Sequence, residues 1–164
     1  MSLRDNGMSA RGRIILLAAL ALNLAFIFVH ASLPPSLSGA EIDAVGGAVG
    51  SVLSEESSIG KFFLSNISNI AHFCEYGTLG VLCAIYLIHQ PRGRGRLSVG
   101  TVAASALVGL LDETVQIFSG RHSSVADIWV DVLGFAACLS LLFGIASAVR
   151  AIKKRRCTLS SEKE

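Results

Sequence analysis

Four long apolar runs, separated by two short polar breaks and one long polar stretch, set the pattern of this chain. The first runs from Ile14 to Val29, is extended by Ala31 and Leu33, and ends at Pro34-Pro35. The second covers about 70–88, the third 97–118 and the fourth 125–149. Each approaches the roughly 20 residues that a helix needs to cross a hydrocarbon core. The pattern therefore predicts an all-α integral membrane protein with four transmembrane helices. Residues 34–68 read as the only long loop, rich in Ser and Gly and acidic, with Glu41, Asp43, Glu55 and Glu56 against Lys61. Within it, Phe62, Phe63, Ile67 and Ile70 sit among small polar residues, which suits either a short interfacial helix or a pre-membrane linker.

Composition agrees. Of the 164 residues, 52% are hydrophobic and 16% charged, against about 25% charged in an ordinary soluble domain. Mean hydropathy is +0.60. Cys74, Cys83 and Cys138 lie in apolar runs and Cys157 in a basic tail, with no metal-ligand spacing, so no disulfide framework is expected. A cleaved signal peptide competes for the first run, because its head is basic and Val29-His30-Ala31 resembles a cleavage site. That run is at the long end for a signal core, and it is read here as a first span, 14–33.

Charge supplies orientation. Every Lys and Arg except Lys61 and Arg121 lies in the head (1–13), the 90–96 turn or the tail (150–164). Cytoplasmic loops accumulate Lys and Arg, so both termini are expected in the cytoplasm, with the acidic stretch and the 119–124 turn outside. Arginines between spans are expected of a cytoplasmic loop, and nothing here points to nucleic acid. The inferred location is the inner membrane of a bacterium, as a multi-pass protein.

With that orientation, scattered polar residues gather at one end. His72, Glu75 and Tyr76 fall at the outer end of span two, Asp112, Glu113 and Gln116 at that of span three, and Asp127 and Asp131 at that of span four. At about 1.5 Å rise per residue, Glu75, Asp112 and Asp131 lie roughly 8–9 Å below the outer edge. At about 100° per residue they also define three stripes. One carries His72, Glu75, Tyr76, Leu79 and Cys83. Another carries Ser105, Gly109, Asp112 and Gln116, with Glu113 at its margin. The third carries Ser124, Asp127, Asp131, Gly134 and Cys138. The simplest assembly points all three at a common outward-opening cavity made by spans two to four.

An acid inside a membrane costs roughly 2.5–3.5 kcal/mol on insertion scales. Five such acids face one fixed cation, Arg121, with His72 and His122 as titratable help. Four readings account for them. They form an interhelical hydrogen-bond network that fixes packing. They belong to an enzyme acting on a lipid-linked or envelope substrate, with His72, Glu75, Asp112, Glu113, Asp127 and Asp131 as the candidate catalytic set. They receive a lipid head group or peptide without chemistry. Or they carry protons in a transporter, although the chain shows no repeats or broken helices. Tyr76, Gln116 and Arg121 are the candidate substrate-binding residues, with Arg121 gripping an anionic head group. A divalent metal is a further hypothesis, resting on Asp127 with Asp131 and on His72 with Glu75.

Plainer roles are expected elsewhere. His30, His89 and His122 read as interfacial histidines at span ends. Trp129 belongs to an aromatic belt. Arg121 is either a cap on the end of span three or a member of the cluster, and the flanking acids favour the cluster.

Two blocks also resemble the VanZ-like family, named for a teicoplanin-resistance protein. One is Ala71-His72-Phe73-x-Glu75-Tyr76-x-x-Leu79-Gly80. The other is Asp112-Glu113-x-x-Gln116-x-x-x-Gly120-Arg121, then Asp127-x-x-x-Asp131-x-x-Gly134. The resemblance spans about 69–145. It implies a small multi-span membrane protein with an envelope role and a link to glycopeptide susceptibility, while the partner expected of the polar site is a membrane lipid or lipid-linked cell-wall precursor. The family often has Pro where this chain has Ser119, and basic residues where it has Ser68 and Asn69. The first difference is expected to loosen the turn, and the second to leave the acids less compensated.

Overall fold

The computed structural model describes residues 8–52, 57–90, 94–121 and 123–161, and all its regular structure is helical. The order is α1 (Ala10–Ser32), α2 (Pro35–Val52), α3 (Ser58–Ser65), α4 (Ile67–Ile88), α5 (Arg94–Phe118) and α6 (Val125–Ser161). Four helical stretches are long and apolar enough to cross a membrane: Ala10–Ser32, Ile67–Ile88, Ser98–Phe118 and Val125–Arg155. Large apolar side chains such as Ile15, Leu22, Leu107, Leu133 and Leu141 are exposed along them. Such a surface suits lipid rather than water as the surrounding solvent.

Residues 34–68 differ from the loop expected of them. Most of this stretch is α2 and α3. The Gly and Ser content that argues for a loop only lowers helix propensity, and tertiary packing overrides it. A Cβ placed on Gly46 would lie 3.6 Å from Leu64 Cδ2, so the two short helices pack against each other. In α3 the Ser57 hydroxyl accepts from the Gly60 N–H at 2.9 Å, a side-chain N-cap. Its Ile59, Phe62 and Phe63 are all exposed, and Phe63 also lines the cavity described below. The short-helix alternative for the Phe62–Phe63 segment is the one the structure adopts.

The tightest packing joins α4 to α6, and glycine makes it possible. A Cβ on Gly134 would lie 2.5 Å from the Phe73 carbonyl oxygen, and one on Gly80 would collide with that of Phe135. Each helix thus offers a glycine to the other's backbone, the small-residue contact by which membrane helices approach closely. Around this crossing lies the apolar core of Ile27, Tyr76, Leu79, Ala84, Leu87, Phe135 and Leu139. Its Ile27 comes from α1, so the first helix is part of the bundle.

Candidate functional site

The 119–124 connection builds one end of the site from local rules. Gly120 adopts φ 74°, the left-handed conformation that glycine takes without steric cost. The Gly120 N–H donates to Ile117 O at 3.1 Å and the Arg121 N–H to Gln116 O at 2.9 Å. These two bonds make a Schellman ending for α5. The Ser124 hydroxyl then accepts from the Ala126 N–H at 3.1 Å and caps α6. Ser119, expected to loosen this turn, is hydrogen-bonded within it. Its N–H donates to Val115 O at 3.0 Å, and its hydroxyl lies 3.0 Å from both Val115 O and Ala31 O. A proline there would have no N–H to give.

Below the turn, three helices bring their polar stripes together. His72 Nδ1 lies 3.1 Å from Asp131 Oδ1 and 3.8 Å from Asp112 Oδ2. The Gln116 amide donates to Glu113 Oε1 at 3.3 Å and to Asp112 Oδ2 at 3.5 Å. Glu113 Oε2 accepts from the Ser124 N–H at 2.8 Å. His72, Asp112, Glu113, Gln116 and Asp131 are each no more than 4% exposed. Glu113, placed at a stripe margin by phase alone, is fully inside. Gly109 leaves room for this arrangement, since a Cβ there would sit 3.0 Å from Asp131 Oδ2. The Tyr76 hydroxyl and Asp131 Oδ2 are buried with no hydrogen-bond partner among the described residues.

Other expected members stand apart. Glu75 turns away toward α1, where its Oε1 lies 3.0 Å from His30 Nδ1. Asp127 is half-buried one turn before Asp131. It lies within electrostatic reach of Asp131, and its backbone N–H donates to Ser124 O at 3.0 Å. The Arg121 guanidinium donates through Nη1 to His30 O at 3.1 Å. It therefore meets a last-turn carbonyl of α1, neither capping α5 by its side chain nor pairing with the cluster acids. His122 falls outside the described residues, and Trp129 is exposed.

His30 is the residue that sequence reasoning missed. It stands at the end of an apolar span, and the expected site was confined to spans two to four. The available signal was its place at the same end as the acids. Here α1 contributes directly.

Beside the cluster, a cavity of about 810 Å³ opens between α1, α2, α3 and α4. Its walls include Phe26, Val29, Leu33, Val45, Phe63 and Ile67, and its polar lining includes His30, His72, Glu75 and Arg121. Its size falls within the roughly 300–1,000 Å³ usual for ligand sites. His72 belongs both to this lining and to the buried cluster, and so connects them.

Fold and site together define a four-span membrane protein with a buried carboxylate–histidine cluster beside a largely apolar cavity. A protein-family model described as VanZ/LLP1 matches residues 14–147. That covers most of the chain, and the protein belongs to the VanZ-like family. No curated protein and no solved structure matches it.

Proposed function

We propose that this protein receives the anionic end of an outer-leaflet lipid or lipid-linked cell-wall component in the cavity between α1 and α4. The observation that carries this reading is the cavity's mixed lining. Apolar walls suit an acyl or prenyl chain, while the Arg121 guanidinium offers positive charge, and the His30 ring a hydrogen-bonding group, to a head group. On this reading that end of the bundle is the outer face of a bacterial inner membrane, with both termini in the cytoplasm, and the positive-inside pattern supports this orientation. Membership of a family named for teicoplanin resistance fits an outer-face envelope component, because glycopeptides act on the outward-facing precursor.

The test is binding by the purified full-length chain in detergent. Native mass spectrometry would compare a polyprenyl-phosphate-linked cell-wall precursor, an anionic phospholipid and a zwitterionic phospholipid. Retention of either anionic ligand over the zwitterionic one supports the reading, with loss expected in Arg121→Gln and in the cavity-filling Ala44→Trp. Equal retention of all three sinks it. Teicoplanin susceptibility of cells with and without the gene then shows whether binding reaches the antibiotic phenotype.

A second reading has its own observation and concerns other residues. His72, Asp112, Glu113, Gln116 and Asp131 are buried and bonded across α4, α5 and α6, as in an interhelical network that fixes packing. On this division the network holds His72 in place, and the cavity residues meet the ligand.

A further inference from the structure

We propose that His72, Asp112 and Glu113 hold a divalent transition-metal ion where α4 and α5 meet. One ring nitrogen of His72 and one carboxylate oxygen from each acid lie within 4.8 Å of one another, and all three residues are buried. An imidazole with two carboxylates is a mixed nitrogen and oxygen donor set, suited to Zn²⁺ or Mn²⁺.

Charge gives the first reason. Asp112, Glu113 and Asp131 are buried together around a single imidazole. The Arg121 guanidinium, placed by the sequence among these acids, is turned to the His30 carbonyl instead. A divalent cation supplies the compensation that the arginine does not.

Orphaned polar atoms give an independent reason. The Tyr76 side chain is 0% exposed and its hydroxyl has no hydrogen-bond partner among the described residues. It lies within electrostatic reach of Asp112, Asp131, Glu75 and Glu113. Asp131 is likewise 0% exposed, with Oδ2 unpartnered. A buried donor and a buried acceptor without partners beside the same acids are what a metal-bound water would satisfy, since buried polar groups are otherwise paired.

The surroundings of the three ligands also resemble a built metal site. Asp131 Oδ1 lies 3.1 Å from His72 Nδ1, so the ring would meet the ion through Nε2, with Asp131 orienting it. The Ser124 N–H holds Glu113, and the Gln116 amide spans both acids. This set differs from the pairs suggested by helix spacing: Glu75 faces His30, and Asp127 stands outside the group.

The test uses the full-length chain, free of any histidine tag, purified in mild detergent. Its metal content is measured by mass spectrometry, and its melting is followed after chelation and after return of Zn²⁺ or Mn²⁺. One ion per chain is expected, with stability lost on chelation and restored by one of the two ions. Asp112→Asn and Glu113→Gln should each abolish stoichiometric binding. Gln116→Leu, which removes only an orienting amide, should weaken it about 10–100-fold. Asp43→Asn, in α2 and outside the set, should leave it intact. A folded wild type that neither contains nor responds to Zn²⁺ or Mn²⁺ overturns the proposal. So does binding that survives both acid substitutions. Should those variants fail to fold, X-ray absorption of the metal-loaded wild type decides: an imidazole with oxygen ligands supports the site, and sulfur or water-only ligation overturns it.

Discussion

His30 Nδ1 stands 3.0 Å from Glu75 Oε1, joining the end of α1 to the third turn of α4 at the edge of the cavity. The two side chains are 20% and 11% exposed, so the pair is neither sealed in the core nor free at the surface. It makes the first helix part of the site. Interhelical polar contacts of this kind in membranes average about 0.6 kcal/mol and reach about 1.7 kcal/mol. Glu75→Gln and His30→Ala should therefore each cost about 0.6–1.7 kcal/mol of stability. Their sum should exceed the cost of the double variant, as read by unfolding in mixed micelles. Fully additive costs would show that the pair does not interact.

The α4–α6 crossing should tolerate nothing larger than glycine. An added Cβ at Gly80 or Gly134 meets the other helix's backbone, which cannot swing aside as a side chain does. Gly80→Ala and Gly134→Ala are expected to cost about 1–3 kcal/mol each, the range for overpacking. Gly144→Ala meets nothing within 4 Å and should be neutral or slightly stabilising, since alanine is the better helix former. Comparable melting of all three variants would mean that the close approach is not required.

Ser119 and Arg121 tie the α5–α6 turn to α1 by separate hydrogen bonds, to Ala31 O and His30 O. Ser119→Pro removes the hydroxyl bond and the backbone N–H bond to Val115 O together, whereas Ser119→Ala removes only the hydroxyl. The proline variant should accordingly be the less stable by about 0.5–1.5 kcal/mol, the worth of one hydrogen bond. A turn tightened by proline would give the opposite order in the same denaturation measurement.

Orientation can be read in intact cells. In a Cys-free background, Ser36→Cys, at an exposed position in α2, should react with an impermeant maleimide added outside. A single cysteine restored at 157 should react only after the membrane is opened. Reversed labelling would place the cavity on the cytoplasmic face and exclude an outer-leaflet ligand.

The spans and the phase of their polar stripes were legible because both are local. Hydropathy over about 20 residues marks a crossing, and a period of 3.6 fixes which residues share a face. His72, Asp112, Gln116 and Asp131 were assigned to their stripes on that basis, and they meet in the structure. The α1 helix offered less of a handle, with Asn23 the only polar residue between Arg13 and His30, so its rotation and neighbours did not follow from pattern. Nor did α2, whose glycines argued for a loop. Its Ala44 and Val45 form part of the cavity wall, and its Gly46 lies against Leu64 of α3.

Sequence alone therefore determined the membrane class, the four spans and the end of the bundle where the polar residues collect. Tertiary structure decided which of them touch. His72 and Asp131 are 59 residues apart, and Arg121 reaches His30 across 91. Contacts at such separations depend on how each helix is rotated and tilted against its neighbours. Helix period does not encode that choice. It arises from close packing at positions such as Gly80 and Gly134, where shape selects the partner.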